Sequence, residues 1–203
     1  MKKVILSLAV IAFSATASIA QLKDGVFNVD YKASNIGWHG EKATGSGHDG
    51  TIRVSSGQVT VKGGNIATGK VKVDMNGIAC TDLSDKDMNA NLINHLKSED
   101  FFNTAKFPDA NFEVVSVSAT KDAAGNTHTI NGKLTIKGIT KDVSFPAKVS
   151  GTDSNVTING TLNVDRSQFD VRYGSETFFG TLGDKAISNN MRLTVNLVAN
   201  KKA

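Results

Sequence analysis

Four histidines are the side chains of this sequence best suited to hold a metal ion: His39, His48, His95 and His128. Spacings such as H-x-H or H-E-x-x-H place two imidazoles on one ion, and no pair of these histidines has such a spacing. The sequence therefore predicts no metal site. We expect His48, within Gly-His-Asp-Gly, to be solvated or hydrogen-bonded in a turn, with contact to a ligand head group as the alternative. We expect His95 to lie between the polar and apolar faces of a helix, packed and hydrogen-bonded.

Ser167 is a candidate nucleophile because Asp165 and Arg166 directly precede it. The segment lacks the G-x-S-x-G turn that exposes the nucleophilic serine of many hydrolases. The sequence therefore predicts no catalytic residue and no enzyme. We expect Asp165 and Arg166 to form a local ion pair that supports a turn, and an anionic ligand group is the alternative partner of Arg166.

An acidic cluster of Asp82, Asp85 and Asp87 could attract calcium. It lacks the D-x-D-x-D-G spacing and the terminal glutamate of an EF-hand loop. The cluster instead predicts the start of a helix, where Asp87 lies near the positive end of the helix dipole. Cys80 is the only cysteine in the sequence, so an internal disulfide is excluded and we expect a small buried apolar residue.

Residues 1–20 have the pattern of a cleavable export signal. Two lysines precede an apolar run from Val4 to Phe13, and a small-x-small cleavage site ends at Ala20. We expect a periplasmic or secreted protein whose single domain comprises residues 21–203. Cleavage would remove two of the 23 basic residues and none of the 19 acidic ones, which leaves a net charge of +2. This charge provides no electrostatic basis for binding nucleic acid.

Alternating apolar and polar residues recur along the rest of the chain, a pattern typical of strands that bury one face. The clearest examples run from Val156 to Val164 and from Met191 to Leu197. Turns rich in glycine, asparagine and aspartate separate these segments, which favours an antiparallel barrel or sandwich. Glycines within strands, such as Gly132, favour the barrel because closed sheets coil and bend strongly.

A helix leading into a cluster of phenylalanines interrupts the strands. Met88, Leu92 and Leu96 recur at spacings of four, which predicts a helix with one apolar face. The pair Phe101-Phe102 and a Phe-Pro turn follow before a strand begins at Phe112. We expect the aromatic rings to plug one end of the sheet.

The order of these residues resembles the signature of the YceI-like family of secreted lipid-binding proteins. Further runs similar to the family's motifs are N-G-K-L-T-I-K-G-I-T-K-D-V from Asn131, V-D-R-S-Q-F-D-V from Val164, G-D-K-A-I from Gly183, S-N-I-G-W-H-G from Ser34 and G-H-D-G from Gly47. The resemblance covers nearly all of residues 24–199. One departure is Asp170, which stands where the family usually has glycine and is expected to alter the adjacent turn.

The resemblance implies an all-β fold with one or two short helices: a lipocalin-like, antiparallel, eight-stranded β-barrel enclosing an elongated apolar tunnel. Members of the family hold a long isoprenoid or fatty chain. The resemblance thus implies an exported, non-enzymatic carrier or storage protein for a long-chain lipid, with no other cofactor. The residues expected to contact the lipid tail are Trp38, Phe101, Phe102, Phe112, Leu134, Phe145, Ile158 and Phe169. Arg166 and Arg172 are expected to meet the head group if it is anionic.

A barrel of eight strands can also be filled by its own side chains, and alternation does not distinguish a filled core from a lined tunnel. A secreted structural or interaction module with a filled barrel is therefore the alternative function. An enzyme acting on lipid has the least support. The sequence leaves transient contact with a membrane and a homodimer open.

Overall fold

The alternating segments form nine antiparallel strands in a computed structural model that describes residues 22–202. The predicted export signal lies outside the described residues. The strands are β1 (Gly25–Val29), β2 (Asn35–Glu41), β3 (Gly47–Lys62), β4 (Asn65–Cys80), β5 (Asp109–Ala119), β6 (His128–Ile136), β7 (Ile139–Gly151), β8 (Asn155–Asp165) and β9 (Asn190–Lys201). The helices are α1 (Lys86–Lys97) and α2 (Glu176–Phe179), with 3₁₀ turns at Arg166–Phe169 and Gly183–Lys185. None of the helices in the described part is long and apolar enough to cross a membrane.

The sheet closes on itself. Strands β2 to β9 pair in the ring order β3-β2-β9-β8-β7-β6-β5-β4, and β4 returns to β3. Strands β1 and β2 share one position of the ring, between β3 and β9. Each pairs with both of these strands but with different residues of them, so β1 and β2 lie end to end. Nine strands thus occupy eight positions, and the predicted eight-stranded antiparallel barrel is confirmed.

The inward face follows the predicted alternation on most strands. On β8, Val156, Ile158, Leu162 and Val164 are buried, as are the alternate residues of β9 from Met191 to Leu197. Strand β3 breaks the alternation, since Val54 and Val59 are both buried although they are five positions apart, an odd offset that normally puts two residues on opposite faces. A register shift between Val54 and Ser56 accounts for this, because a bulge moves the following residues to the other face.

Strand β1 places a large ring inside the barrel at one end. Phe27 is fully buried and lies opposite the inward Val59 of β3. Helix α1 follows β4 at the opposite end. The two ends are therefore built differently, with a strand filling one and a helix covering the other.

Helix α1 begins after Asp85, whose carboxylate accepts hydrogen bonds from the backbone N–H groups of Asp87 (3.0 Å) and Met88 (2.9 Å). This confirms that the acidic cluster begins a helix. Leu96 is buried, but Met88 is 59% exposed, so the predicted apolar face is wrong in its first turn. The inward position there is taken by Asn89, whose side-chain amide donates to the carbonyl oxygens of Cys80 at the end of β4 and of Leu83 in the following loop.

Candidate functional site

An apolar cavity of about 100 Å³ lies inside the barrel, and we call it the inner chamber. Its wall consists of inward side chains from strands around the whole ring. The ring centroids of Phe112 and Phe145 lie 5.8 Å apart and the rings meet edge to face. Five residues predicted to contact a lipid tail line this chamber: Phe102, Phe112, Leu134, Phe145 and Ile158.

A second cavity of about 360 Å³, the outer chamber, lies at the end of the barrel covered by α1. Its volume is in the range typical of small-molecule sites. Apolar and polar side chains share its wall, unlike that of the inner chamber. The side chains that line it include Trp38, His48, His95, Phe101, Arg166 and Tyr173.

Phe102 is the boundary between the two chambers. Its ring is 6% exposed, and it lines both cavities together with Ile52 and Met191. A ligand reaching the inner chamber from the outer one must pass these three side chains. The predicted aromatic plug thus lies between a partly polar mouth and an apolar interior.

An aromatic cluster surrounds His95 at the mouth. The imidazole meets the rings of Phe101 and Tyr173 edge to face, with centroid distances of 4.9 and 4.5 Å. Its Nε2 lies 3.5 Å from the carboxylate of Asp100. The prediction that His95 packs is therefore confirmed, but none of the hydrogen bonds among the described residues involves its imidazole.

Trp38 forms the opposite part of the wall. Its indole N–H donates to the carbonyl oxygen of Ala79 at 3.1 Å, which fixes the ring over the neighbouring strand. Gly50 lies beneath the ring, and a Cβ at that position would come within 2.4 Å of it. The glycine is required by this close approach.

Arg166 is 4% exposed and does not form the predicted ion pair. Its guanidinium donates to the carbonyl oxygens of Val171 (2.8 Å), Ile187 (2.9 Å) and Ser188 (2.9 Å). Asp165 instead accepts hydrogen bonds from the backbone N–H and the side-chain hydroxyl of Ser167. Burial lowers the pKa of Arg166, but an arginine side chain keeps its charge. A buried cation therefore ties two segments of the mouth together.

Phe169 and Arg172, two of the predicted contact residues, line neither chamber. Phe169 is 1% exposed and packs in the core beneath the 3₁₀ turn. The side chain of Arg172 is 59% exposed, pairs with Asp170 and lies 5.0 Å over the ring of Phe178. Both follow Arg166 closely in sequence, but the chain leaves the barrel wall at this turn.

Asp170 adopts a left-handed backbone conformation, with φ 59° and ψ 30°. Aspartate adopts this conformation more readily than most residues, and glycine adopts it freely. The turn therefore forms with aspartate in the place of glycine. The amine of Lys137 donates to the Asp170 carbonyl oxygen at 2.6 Å, and burial lowers the pKa of this lysine.

His48 lies within β3, opposite Gly40 of β2, and not in a turn. Its Nδ1 is 3.1 Å from a carboxylate oxygen of Asp82, so the expected hydrogen bond is present. Sequence reasoning missed other polar residues of the mouth, including Glu41, Lys42 and Tyr173. Glu41 ends β2 and Lys42 follows it directly, whereas Tyr173 lies in a turn far along the chain, so no single motif could have revealed them.

Together the fold and the cavities define a class of protein: a closed antiparallel barrel whose apolar interior is reached through a partly polar mouth. Residues 27–199 match the YceI-like domain, and the chain belongs to this family. Protein YceI of Escherichia coli is 35% identical over 160 residues, which cover 74% of each chain.

Solved structures share this architecture. The crystal structure of Burkholderia cenocepacia BcnA has a TM-score of 0.64 and 25% identity, and the match covers 84% of this chain and 99% of that one. A polyisoprenoid binding domain from Saccharophagus degradans has a TM-score of 0.60 and 14% identity over 87% of this chain and 98% of that one. At this low identity the second likeness shows the fold alone.

Proposed function

We propose that this protein is a carrier or storage protein that binds a long-chain amphiphile, such as a polyisoprenoid or a fatty-acid-like lipid. The tail occupies the inner chamber and the head group lies in the outer one. The observation that carries the proposal is the shared boundary of the two cavities at Phe102, with apolar walls on one side and mixed walls on the other. The solved domain of the same fold from Saccharophagus degradans is a polyisoprenoid binding domain, which supports this ligand class.

Tail burial alone does not set the affinity. Moving a chain out of water gains about 0.8 kcal/mol per CH₂, so a tail of roughly 40 carbons would exceed the limit of about −18 to −21 kcal/mol for non-covalent binding. A membrane, where the tail is already out of water, is the relevant reference. The net gain then comes from the fit of the tail in the chamber and from head-group contacts. We expect an optimum in tail length instead of a steady rise in affinity.

The proposed role is binding without chemical conversion. Ser167, the candidate nucleophile, donates its hydroxyl to Asp165 at 2.6 Å. A serine nucleophile needs a base within hydrogen-bond reach that takes its proton, and histidine usually supplies it. Among the described hydrogen bonds, no histidine accepts from this hydroxyl.

We place the protein in the periplasm or outside the cell, on the basis of the export pattern of residues 1–20. The intact mass of protein from the cell envelope tests this placement. The expected N-terminus is Gln21 or lies within one or two residues of it. Retention of Met1 would contradict export by a cleavable signal.

An exposed aromatic surface beside the mouth suits contact with a membrane. Tyr173, Phe178 and Phe179 are 43%, 38% and 59% exposed, and Tyr173 also lines the outer chamber. Aromatic side chains are favoured at the membrane–water interface. We propose that this surface touches the membrane while lipid enters. Phe178→Ser with Phe179→Ser should then slow uptake from vesicles without changing the final amount bound, and unchanged kinetics would contradict the contact.

A pair of adjacent residues on β8 provides the main test. Ile158 is 6% exposed and lines the inner chamber, whereas Asn159 faces solvent. Ile158→Asp should abolish uptake of a fluorescent polyprenyl lipid from vesicles, because an unpaired carboxylate in an apolar cavity is costly to desolvate. Asn159→Asp introduces the same charge on the outer face and should leave uptake unchanged.

A second substitution at the same position keeps the test valid if Ile158→Asp does not fold. Ile158→Phe narrows the chamber without burying a charge, at a typical cost of about 1–3 kcal/mol. Circular dichroism checks that each variant is folded before uptake is measured. Reduced uptake by folded Ile158→Phe supports a tail in the chamber, and parental uptake by both Ile158 variants would refute it.

The small inner chamber favours a second candidate, a module whose barrel is filled by its own side chains. The cavity of about 100 Å³ is smaller than the roughly 150 Å³ that holds one benzene, so a long chain enters only if the inward side chains move. This candidate predicts that the folded parent takes up no lipid. The same vesicle assay therefore separates the two functions.

A further inference from the structure

Three different metal-ligating side chains meet where β3 begins and β4 ends. The Nδ1 of His48 lies 3.1 Å from one carboxylate oxygen of Asp82, and the Sγ of Cys80 lies 2.9 Å from the other. One ligand atom of each residue lies within 4.8 Å of the other two. The pairing of β3 with β4 places Gly50 opposite Cys80, which brings His48 near these residues despite the sequence distance.

We propose that His48, Cys80 and Asp82 bind one Zn²⁺ ion. A thiolate, an imidazole and a carboxylate form a ligand set that suits zinc, whereas magnesium and calcium prefer oxygen ligands alone.

The geometry is close to that of a zinc site. Zinc bonds of about 2.0–2.3 Å in a tetrahedral arrangement separate the ligand atoms by roughly 3.3–3.6 Å. The two contacts with Asp82, at 3.1 and 2.9 Å, are shorter than this and involve different carboxylate oxygens, and the ligand atoms lie within 4.8 Å of one another. Side-chain rotations are therefore needed to arrange the three ligand atoms around one ion. Three protein ligands leave the fourth position to water or to an anionic group.

Hydrogen bonds hold the loop that carries two of the ligands. The N–H of Thr81 donates to the carbonyl oxygen of Asp49 on β3 at 2.9 Å. From the other side, the amide of Asn89 on α1 donates to the carbonyl oxygens of Cys80 (3.1 Å) and Leu83 (3.0 Å). Such outer contacts orient metal ligands and strengthen binding.

Burial of the thiol also fits a zinc ligand. Cys80 is 9% exposed, whereas His48 and Asp82 reach the surface, so an ion can enter from solvent. In the metal-free state the thiol donates its hydrogen to Asp82. Zinc would replace this proton, since thiolate and not thiol is the ligand, and binding would release the proton to solvent.

The site is separate from the lipid proposal, although His48 also lines the outer chamber. The alternative is a polar cluster that is complete without an ion, because the thiol and the imidazole already share the Asp82 carboxylate. The sequence predicted no metal site because the three residues form none of the usual short spacings.

Calorimetric titration of the untagged, reduced, metal-free protein with Zn²⁺ tests the proposal. We expect one ion per chain. Cys80→Ser and His48→Gln should each weaken binding by about a hundredfold or more, because even the loss of an outer partner costs 10–100-fold. His95→Gln is the matched control, because His95 also lines the mouth but is not one of the three proposed ligands. The affinity of this variant for Zn²⁺ should equal that of the parent.

Co²⁺ provides a second readout that does not depend on the stability of the variants. The parent with Co²⁺ should show a near-ultraviolet thiolate-to-cobalt charge-transfer band, and Cys80→Ser should lack it. Zinc should also raise the thermal midpoint of the parent. The proposal is overturned if the parent binds no zinc at micromolar concentration, if the thiolate band is absent, or if His95→Gln loses as much affinity as His48→Gln.

Discussion

Replacing Phe102 with alanine would remove the boundary between the two chambers. A buried phenylalanine typically contributes about 3–5 kcal/mol relative to alanine, as lost transfer free energy plus the cost of a new cavity. Phe102 is 6% exposed and packs against Phe101 at a centroid distance of 6.4 Å. Because part of its ring already faces the two cavities, fewer contacts are lost than in a filled core. We therefore expect a loss of about 2–4 kcal/mol in the free energy of unfolding.

Urea unfolding measures this loss. With a slope of about 2 kcal/mol per molar urea, in the middle of the usual range, the midpoint of Phe102→Ala should fall by roughly 1–2 M at unchanged slope. Phe179→Ala is the control, because its ring is 59% exposed and surface substitutions usually change stability by less than about 0.5 kcal/mol.

Lipid exchange provides the functional part of the same experiment. Removing the ring joins the chambers through a wider opening, so folded Phe102→Ala should release a fluorescent polyprenyl lipid faster than the parent. An unchanged midpoint would show that the ring is not packed as described. Slower release would show that Phe102 does not restrict the passage.

Two further substitutions test parts of the barrel that position the site. Gly50→Ala should lower stability and shift the fluorescence of Trp38, the only tryptophan, because the added Cβ would come within 2.4 Å of its ring. Gly40→Ala should do neither, since nothing lies within 4 Å of a Cβ there. The hydrogen bond from Arg53 lowers the pKa of Asp74 from its ordinary 3.8, so the ionised carboxylate contributes fully to stability above about pH 5, and this contribution is lost as the pH falls below 3.8. Asp74→Asn should lose less stability than the parent between pH 5 and pH 2 in urea titrations, and an identical acid dependence would contradict this.

The barrel could be predicted because its signals are local. Inward residues of β8 and β9 alternate without interruption, and Asp85 begins α1 as the acidic cluster indicated. The hairpin between β6 and β7 turns at Lys137 and Gly138, both at positive φ, within the run that resembles the family's second motif. Each of these features depends on residues close together in sequence.

The mouth could be predicted only in part. Trp38, Phe101 and Arg166 were expected to contact the ligand and line it, but the contacts between its distant segments could not be foreseen. Arg166 was expected beside Asp165, but three carbonyl oxygens from two other segments bind its guanidinium. Phe169 follows the same motif, yet the 3₁₀ turn directs it into the core and away from both chambers. The contact of His48 with Asp82 depends on the register of β3 and β4, which alternation alone does not specify.

The proposed function requires a lipid tail in the apolar interior of the barrel. Mass spectrometry of an organic-solvent extract of natively purified protein, with quantification against protein concentration, is the most direct test. We expect about one long-chain amphiphile per chain, and a large loss of this species from Ile158→Phe but not from Asn159→Asp. An extract without any stoichiometric lipid, from folded protein that also takes up none from vesicles, would refute the lipid carrier and favour a filled barrel.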